Sequence, residues 1–301
     1  MVAPKMPASR PRHGRPSQSF IAGSWYANLT SNQLHPLREF CRTNGDLTMT
    51  EPRPSSPRRR PARVKAEDVM ELLRQEYGPV EWAPRHDPAR ELVATILSQH
   101  TSDINSGRAF DNLMEIYGSV DALSEAPVAD IEAAIRLAGL ARVKAPRIKA
   151  ALEQVMEEVG SFDLSFLGEM PLADAKAWLK NLPGVGPKTA AIILSFSLGM
   201  PAMPVDTHIH RVAKRLGLIG PKVSADKAHD ILEPMVIPED IFAFHVYLIQ
   251  HGRQVCRAPN PSCDKCVLSW GCRSRRHFQS RAGAKAKKKQ KSKPTSRSAP
   301  N

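Results

Sequence analysis

From about residue 66 to residue 252, apolar residues recur at intervals of three and four positions, and no stretch alternates convincingly at period two. This spacing is typical of amphipathic α-helices, whereas half-buried strands alternate at every second residue. In "AEDVMELLRQEYG", for example, Val69, Leu73 and Tyr77 lie on one stripe that ends at Gly78. The sequence therefore predicts an all-α domain of about ten short helices.

The formal net charge of +13 is concentrated at the two ends of the chain. Residues 1–65 contain 12 Lys and Arg against 3 Asp and Glu, and residues 273–301 contain 11 Lys and Arg and no acid. The middle, residues 66–272, has 20 basic and 27 acidic residues. Because both ends are poor in large apolar side chains, we expect two disordered basic arms. Such arms are typical of polyanion-binding proteins, although a purely solubilising role is the alternative.

Residues 1–48 allow two interpretations. They contain Arg and Ser but few acids, as organellar transit peptides do, yet they show no clear amphipathic repeat. The other interpretation, which the sequence supports at least as well, is an over-long gene start with Met49 as the first residue. We expect no membrane-spanning helix, because the longest apolar stretch, "AAIILSFSLGMPAMPV", is interrupted by serines and two prolines.

Four of the five cysteines lie within seventeen residues, spaced C-x6-C-x2-C-x5-C. They are Cys256, Cys263, Cys266 and Cys272. Disulfides are not expected, since nothing else in the sequence marks secretion. Zinc sites usually use two close C-x2–4-C pairs, and only one such pair is present here. A [4Fe–4S] cluster accepts the wider outer spacings, so the spacing favours iron–sulfur over zinc without excluding zinc.

The stretch "LPGVGPKTA" joins two predicted helices. It is not a nucleotide-binding P-loop, because Leu182 and Pro187 occupy the positions of the required glycines. Gly184 and Gly186 lack a Cβ, so a nucleic-acid backbone can approach their amides. The N-terminus of the next helix also favours an anion. One exposed phosphodiester suits this loop best, and a plain turn with glycine caps is the alternative.

This loop, the stretch "VDTHIHRVAKRLG" and the cysteines after "HGRQVC" occur in the order typical of one family. Over about residues 66–275 the chain resembles endonuclease III, a helix-hairpin-helix DNA glycosylase of base-excision repair. The resemblance implies a DNA-binding groove between a six-helix lobe at about 88–200 and a second lobe built from 66–87 and 201–255. It also implies a structural, DNA-sensing [4Fe–4S] cluster on the loop 256–272, held by the four cysteines.

Lys188 lies in the first turn of the second hairpin helix, where a phosphate clamp or a nucleophile are both plausible. The positive end of a helix disfavours an ammonium, which helps a neutral amine to attack. Lys188 matches the catalytic lysine of the family, which attacks the sugar C1′, expels the damaged base and forms a Schiff base. Asp206 lies eighteen residues later, directly before a predicted helix, and this position alone favours a role as the N-cap of that helix. The resemblance implies that Asp206 also assists lysine deprotonation and stabilises positive charge at C1′.

The resemblance also implies a set of DNA contacts. The hairpin residues predicted to hold a phosphate are Gly184, Val185 and Gly186. A residue of the turn "LSQHTSD" is expected to fill the gap left by the extruded base. His100 stands there where the family commonly has glutamine, and Gln99 is its neighbour, so both are candidates. Leu140 matches the wedge leucine of the family, although its own pattern predicts only a core residue.

Taken together, these features predict a DNA glycosylase and AP lyase that acts as a monomer on double-stranded DNA containing oxidised pyrimidines or abasic sites. We expect it in the cytoplasm, at the nucleoid, if the source is a prokaryote; organellar targeting is not favoured. Two alternatives stay open. The adenine-mismatch branch of the superfamily shares the cysteine spacing but lacks the lysine and has a further C-terminal domain. A non-catalytic, redox-sensing helix-hairpin-helix protein would not need Lys188 or Asp206.

Overall fold

The computed structural model describes residues 64–280, which form eleven α-helices, a further helical segment at 275–280 and several short 3-10 turns, without any β-strand. The predicted all-α class is therefore confirmed. The expectations for residues 1–63 and 281–301, including the start at Met49, lie outside the described residues. The helices are α1 (Ala66–Tyr77), α2 (Pro88–Ser98), α3 (Asp103–Tyr117), α4 (Val120–Glu125), α5 (Val128–Ala134), α6 (Ala141–Val159), α7 (Leu172–Asn181), α8 (Pro187–Leu198), α9 (Thr207–Leu216), α10 (Ala225–Leu232) and α11 (Ile241–Gln254).

The starts of several helices follow from local capping chemistry. Asp87 accepts a hydrogen bond from the Arg90 amide at 2.9 Å, and Pro88 is the first residue of α2. Ser102 and Ser224 cap α3 and α10 in the same way. Each side-chain oxygen accepts a hydrogen bond from an amide that has no partner inside its helix. The start of each of these helices is therefore defined by one capping residue.

A first hydrophobic core is enclosed by α2 to α8. Helix α2 packs against α3, α6 and α8, and most of the residues of α8 are buried. An apolar residue set on nearly every side of a helix is typical of a central position rather than a surface one. The largest fully buried side chains of this core are Leu92, Ile96, Leu97, Leu113, Leu123, Ile131, Ile135 and Ile148.

A second core forms between α1, α9, α10 and α11, together with the cysteine-bearing loop. Helix α11 packs against both α1 and α9. Phe244 and Tyr247 of α11 are fully buried, as is Leu73 of α1. Helix α1 therefore completes this second core rather than the first, although it precedes the first core in the chain. None of the helices in residues 64–280 is long and apolar enough to span a membrane.

The two cores meet along α8 and α11. The ring of Phe196 on α8 lies 5.1 Å from that of Phe242 and 5.4 Å from that of His245, both in edge-to-face arrangements. An ion pair between Arg253 on α11 and Asp103 on α3 crosses the same junction at 2.7 Å. Aromatic packing and a charged pair thus set the relative position of the two lobes.

The predicted disordered tail does not begin at residue 273. Residues 275–280 are helical, and the ring of Phe278 lies 4.4 Å from the guanidinium of Arg215 on α9. This cation–π contact gives the segment a fixed partner on the folded domain. The prediction of disorder rests on the scarcity of large apolar side chains in 273–301 and gives no weight to Phe278, which is one of the few there.

Candidate active site

A cavity of about 1010 Å³, measured with its opening to solvent, lies between the two cores. Lys188, at the start of α8, and Asp206, directly before α9, both line it. Lys188 is exposed and Asp206 is half-buried. The structure therefore brings together the two residues that the sequence singled out for chemistry, one from each core.

Part of the cavity wall is built by Arg85 and His86, in the segment before α2. Arg85 donates through Nε to the fully buried Glu91 at 2.8 Å. The ring of His86 lies 4.7 Å from that of Phe110, and burial lowers the pKa of His86, which favours a neutral imidazole. Neither side chain was predictable as part of a site, because the neighbouring Asp87 and Pro88 mark this stretch as a helix start.

Asp206 acts as the N-cap of α9. Its Oδ1 accepts a hydrogen bond from the Ile209 amide at 2.8 Å. Its Oδ2 accepts no hydrogen bond from any residue in the range 64–280. The two predicted roles of Asp206 are therefore compatible, because one oxygen holds the helix and the other is available to the cavity.

The chain just before Asp206 is held by two side chains that follow it in sequence. Glu233 accepts from the Met203 amide at 2.9 Å, and His229 accepts through Nε2 from the Val205 amide at 3.0 Å. Because Nε2 is an acceptor, the His229 ring is neutral, and its burial lowers its pKa in the same sense. These bonds fix the backbone that places the Asp206 carboxylate.

His245 adds a third support from α11. Its Nδ1 lies 2.9 Å from the carbonyl oxygen of Pro204, which can only accept, so Nδ1 carries the proton. His245 is fully buried, and burial lowers its pKa to about 4; the positive charge of Lys188 lowers it further and the negative charge of Asp206 raises it. A neutral imidazole thus lies within the electrostatic reach of both candidate catalytic groups.

The loop between α7 and α8 supplies free amides. The N–H groups of Gly184 and Gly186 have no hydrogen-bond partner among residues 64–280. Val185 differs from its neighbours, because its amide donates to the Leu182 carbonyl at 3.1 Å and its side chain is buried. Of the three hairpin residues predicted to hold a phosphate, the two glycines therefore present free donors and Val185 anchors the turn.

The two glycines differ in what the fold demands of them. Gly184 has a φ of +79°, and a Cβ there would lie 3.2 Å from Cδ of Arg147. A Cβ on Gly186 would meet no atom within 4 Å. Gly184 is therefore required by the turn itself, whereas the open space at Gly186 is available to a ligand.

We expect Gly186→Ala to keep its free energy of unfolding but to lose about tenfold in affinity for duplex DNA, because the methyl group displaces the phosphate from the amide. Gly184→Ala should instead lose about 1 kcal/mol of stability through its left-handed backbone. Urea unfolding and fluorescence anisotropy with a labelled duplex measure the two effects. Unchanged DNA affinity of Gly186→Ala would contradict a phosphate site at this loop.

The three residues predicted to enter the duplex lie in different environments. The side chain of Gln99 donates to the Gly184 carbonyl at 3.0 Å and is thereby bound to the hairpin. His100 is exposed with a φ of 53°, and Leu140 is 55% exposed with a φ of 51°. His100 and Leu140 are thus available to a partner, and Gln99 becomes available only if its bond to Gly184 opens.

The four clustered cysteines are free thiols that line one cavity of about 310 Å³, including its opening. Among residues 64–280, no group of three or more His, Cys, Asp or Glu side chains is arranged to hold a single metal ion. A zinc site would need its thiolates about 2.3 Å from one ion, whereas each iron of a cubane takes one thiolate, so that the four stand further apart. Four thiols around one cavity are a donor set that such a cluster uses.

The surroundings of the thiols suit an anionic group. Arg215 donates to Sγ of Cys256 at 3.3 Å. Arg275 also lines the cavity, and its buried Nε has no partner in the described part of the chain. Burial raises the pKa of the Cys266 thiol to about 12, so a metal centre must displace its proton. Guanidinium groups beside four thiolates would offset the negative charge of a cluster.

Comparison with known proteins decides the family. The HhH-GPD superfamily base excision DNA repair protein family matches residues 93–236. Endonuclease III of Thermotoga maritima is 35% identical over 187 residues, which cover 62% of this chain and 83% of that protein. The chain belongs to the endonuclease III family. Endonuclease III of Bacillus subtilis is also 35% identical over 187 residues, which cover 62% of this chain and 81% of that protein.

Solved structures agree with this membership of the endonuclease III family. A non-covalent endonuclease III–DNA complex superposes with a TM-score of 0.61 at 27% identity, covering 72% of this chain and 99% of that one. A trapped endonuclease III–DNA covalent intermediate with an estranged adenine gives the same TM-score and the same coverages at 28% identity. The match to nearly the whole of those chains extends the family fold to both lobes.

Proposed function

We propose that this endonuclease III family member is a DNA N-glycosylase with AP lyase activity. It excises oxidised pyrimidines from double-stranded DNA and cleaves the strand 3′ to the abasic site. The observation that carries the proposal is the shared cavity of Lys188 and Asp206, close to a hairpin with two free glycine amides. An amine and a carboxylate beside a phosphate-binding loop provide a nucleophile, a base and a means of positioning the strand.

Binding begins at the hairpin. The amides of Gly184 and Gly186 and the free N–H groups at the N-terminus of α8 donate hydrogen bonds to one phosphate of the damaged strand. That phosphate places its sugar at the mouth of the cavity, and the damaged base rotates out of the duplex into it. The neutral ring of His86 and the guanidinium of Arg85, which is held by the buried Glu91, form part of the cavity wall that receives the base.

Chemistry follows at C1′ of the extruded nucleotide. Nζ of Lys188 forms a bond to C1′ while the glycosidic bond breaks, and the base leaves with the electron pair and is protonated. The Asp206 carboxylate stabilises the positive charge that develops at C1′ and accepts a proton from the attacking amine. Oδ1 of Asp206 continues to cap α9 during this step.

Strand cleavage completes the reaction. The sugar ring opens to give a Schiff base between Lys188 and C1′, which makes the C2′ proton acidic. A base removes that proton, the C3′–O bond breaks, and the 3′ phosphate leaves with the electron pair. Hydrolysis of the imine returns the free amine of Lys188.

Trapping with borohydride tests the proposal directly. The reductant converts a Schiff base into a stable amine, so an abasic-site or thymine-glycol duplex should become covalently joined to the protein. The covalent intermediate reported for the endonuclease III with 28% identity supports this chemistry. If no adduct forms, the lyase is excluded. The adenine-mismatch alternative predicts base release without an adduct.

We infer further that Cys256, Cys263, Cys266 and Cys272 hold a [4Fe–4S] cluster. When bound, the cluster joins four thiolates and so stabilises the loop beside the second core. The four thiols, the two guanidinium groups and the unpaired Nε of Arg275 support this assignment. The reaction steps above use none of its chemistry.

The protein purified without air should contain about four irons per chain and absorb near ~400 nm. Cys263→Ala should lose most of the iron and the absorbance, because one cluster iron then lacks its thiolate. Cys41→Ala changes the one cysteine outside the stretch 256–272. It is the matched control and should keep both the iron and the absorbance. Stoichiometric zinc in place of iron, in protein from iron-replete cells, would contradict the cluster.

A further inference from the structure

Lys144, in the first turn of α6, is a buried cation with 1% of its surface exposed. Its ammonium donates three hydrogen bonds, to the Leu97 carbonyl at 2.6 Å, the Thr101 hydroxyl at 2.6 Å and the Ala138 carbonyl at 2.9 Å. It forms no ion pair with a carboxylate among residues 64–280. The proposed reaction does not use it.

The three acceptors belong to two separate segments. Leu97 and Thr101 flank the end of α2 and the turn after it, while Ala138 lies in the 3-10 turn before α6. The Thr101 hydroxyl also contacts the Ala138 carbonyl. Lys144 therefore joins the turn at 98–102 to the loop at 138–140, which are far apart in the sequence.

Each of these segments carries one unusual residue. His100 and Leu140, with φ values of 53° and 51°, are the two non-glycine residues of positive φ in the described part of the chain. A left-handed backbone is unfavourable for such residues and persists only where surrounding contacts impose it. Both side chains are exposed. Leu140 has 55% of its surface in solvent, which is unusual for a large apolar side chain. The ammonium of Lys144 bonds to Thr101, which follows His100, and to Ala138, which lies two residues before Leu140.

Burial of an ammonium is costly, so its retention needs a reason. Burial lowers the pKa of Lys144 to about 8, which leaves it mostly charged at pH 7. A methionine of similar length would fill the same space without this cost, yet it could not join two sets of carbonyls. The three bonds that compensate the burial are also the ones that fix the two segments to each other.

We infer that Lys144 is a positioning residue that holds His100 and Leu140 at a fixed separation, so that both side chains enter the duplex together when a damaged nucleotide leaves it. This inference rests on the proposed function. Filling the gap from two sides requires two groups with a set spacing, because adjacent base pairs leave little freedom between them. Lys144 therefore contributes to opening the duplex and not to the chemistry at C1′.

The test compares one lesion in two settings. Thymine glycol is placed opposite adenine in a full duplex and, separately, within an unpaired bubble of the same sequence. For Lys144→Met we expect single-turnover excision to fall about tenfold in the duplex, since hydrogen bonds to a charged group are lost, and to stay unchanged in the bubble. A 2-aminopurine next to the lesion should show a smaller fluorescence rise on binding, because fewer neighbours are unstacked.

Lys149→Met is the matched control, on the same helix. Lys149 also donates to a backbone carbonyl, that of Ser124, but it pairs with Glu153 and contacts neither segment. For this variant, the ratio of the single-turnover excision rate in the duplex to the rate in the bubble should equal that of the unmodified protein. Lys144→Gln, which keeps two N–H donors, should give an intermediate ratio and serves if the methionine variant does not fold.

The outcomes distinguish a failure of the positioning role of Lys144 from a failure of the proposed function. An equal loss in duplex and bubble, or no loss in either, overturns the positioning role of Lys144. A lowered ratio in the Lys149 variant overturns it as well, because a general loss of helix stability would then explain the effect. Absence of excision and of strand cleavage by the unmodified protein on both substrates refutes the proposed function instead.

Discussion

Replacement of Lys188 by glutamine is expected to abolish the borohydride-trapped adduct with an abasic-site duplex and to slow strand cleavage by at least about a thousandfold, since no other lysine among residues 64–280 lines the cavity. Lys188 is exposed, lines the cavity and lies in the first turn of α8, the helix whose N-terminus we propose to face the phosphate. Duplex affinity should change much less, because the two glycine amides remain. Denaturing gels after reduction measure the adduct, and single-turnover assays measure the cleavage.

Lys180→Gln is the control for this substitution. Lys180 is an exposed lysine in the last turn of α7, on the other side of the hairpin, and it does not line the cavity. The same charge is removed close to the DNA, so any general electrostatic effect appears in both variants. A Lys188 variant that still forms the adduct would refute the assignment of the nucleophile, as would an equal loss in the Lys180 variant.

Asp206→Asn separates catalysis from capping. Asparagine caps a helix about as well as aspartate, so the bond to the Ile209 amide and the free energy of unfolding should be retained. The rate of base excision should nevertheless fall by about 100-fold to 10,000-fold, because the amide can neither accept the amine proton nor stabilise charge at C1′. Single-turnover base release and urea unfolding measure the two properties on one sample.

Asp206→Ala completes the comparison. It should lose the same activity and, in addition, about 1 kcal/mol of stability, because the cap itself is removed. If Asp206→Asn excises bases at the normal rate, Asp206 is only a helix cap. An asparagine variant as unstable as the alanine variant would show that the cap requires a charge.

Features that depend on neighbouring residues were predictable from the sequence. The end of α1 before Gly78 and the N-cap of α9 by Asp206 follow from propensity and capping within a few residues. The hairpin glycines belong to the same class, because a tight turn before a helix start is written in adjacent positions. The all-α class follows from the spacing of apolar residues alone.

Features that depend on contacts distant in sequence were not predictable. His245 bonds to Pro204, 41 residues away, and Lys144 bonds to Leu97, 47 residues away. Neither position differs in pattern from an ordinary helical residue, and no single-residue signal marks it. The same reason explains the tail, because the partner of Phe278 is a guanidinium on α9.

The division into two cores has a consequence for how variants of this protein should be judged. Lys188 is carried by one core and Asp206 by the other, so neither core alone determines the separation of the amine and the carboxylate. That separation depends on a few contacts, such as those of Phe196 with Phe242 and His245. A substitution there can leave both lobes folded and still misalign the reacting groups. Thermal stability is therefore a poor surrogate for repair competence in this chain.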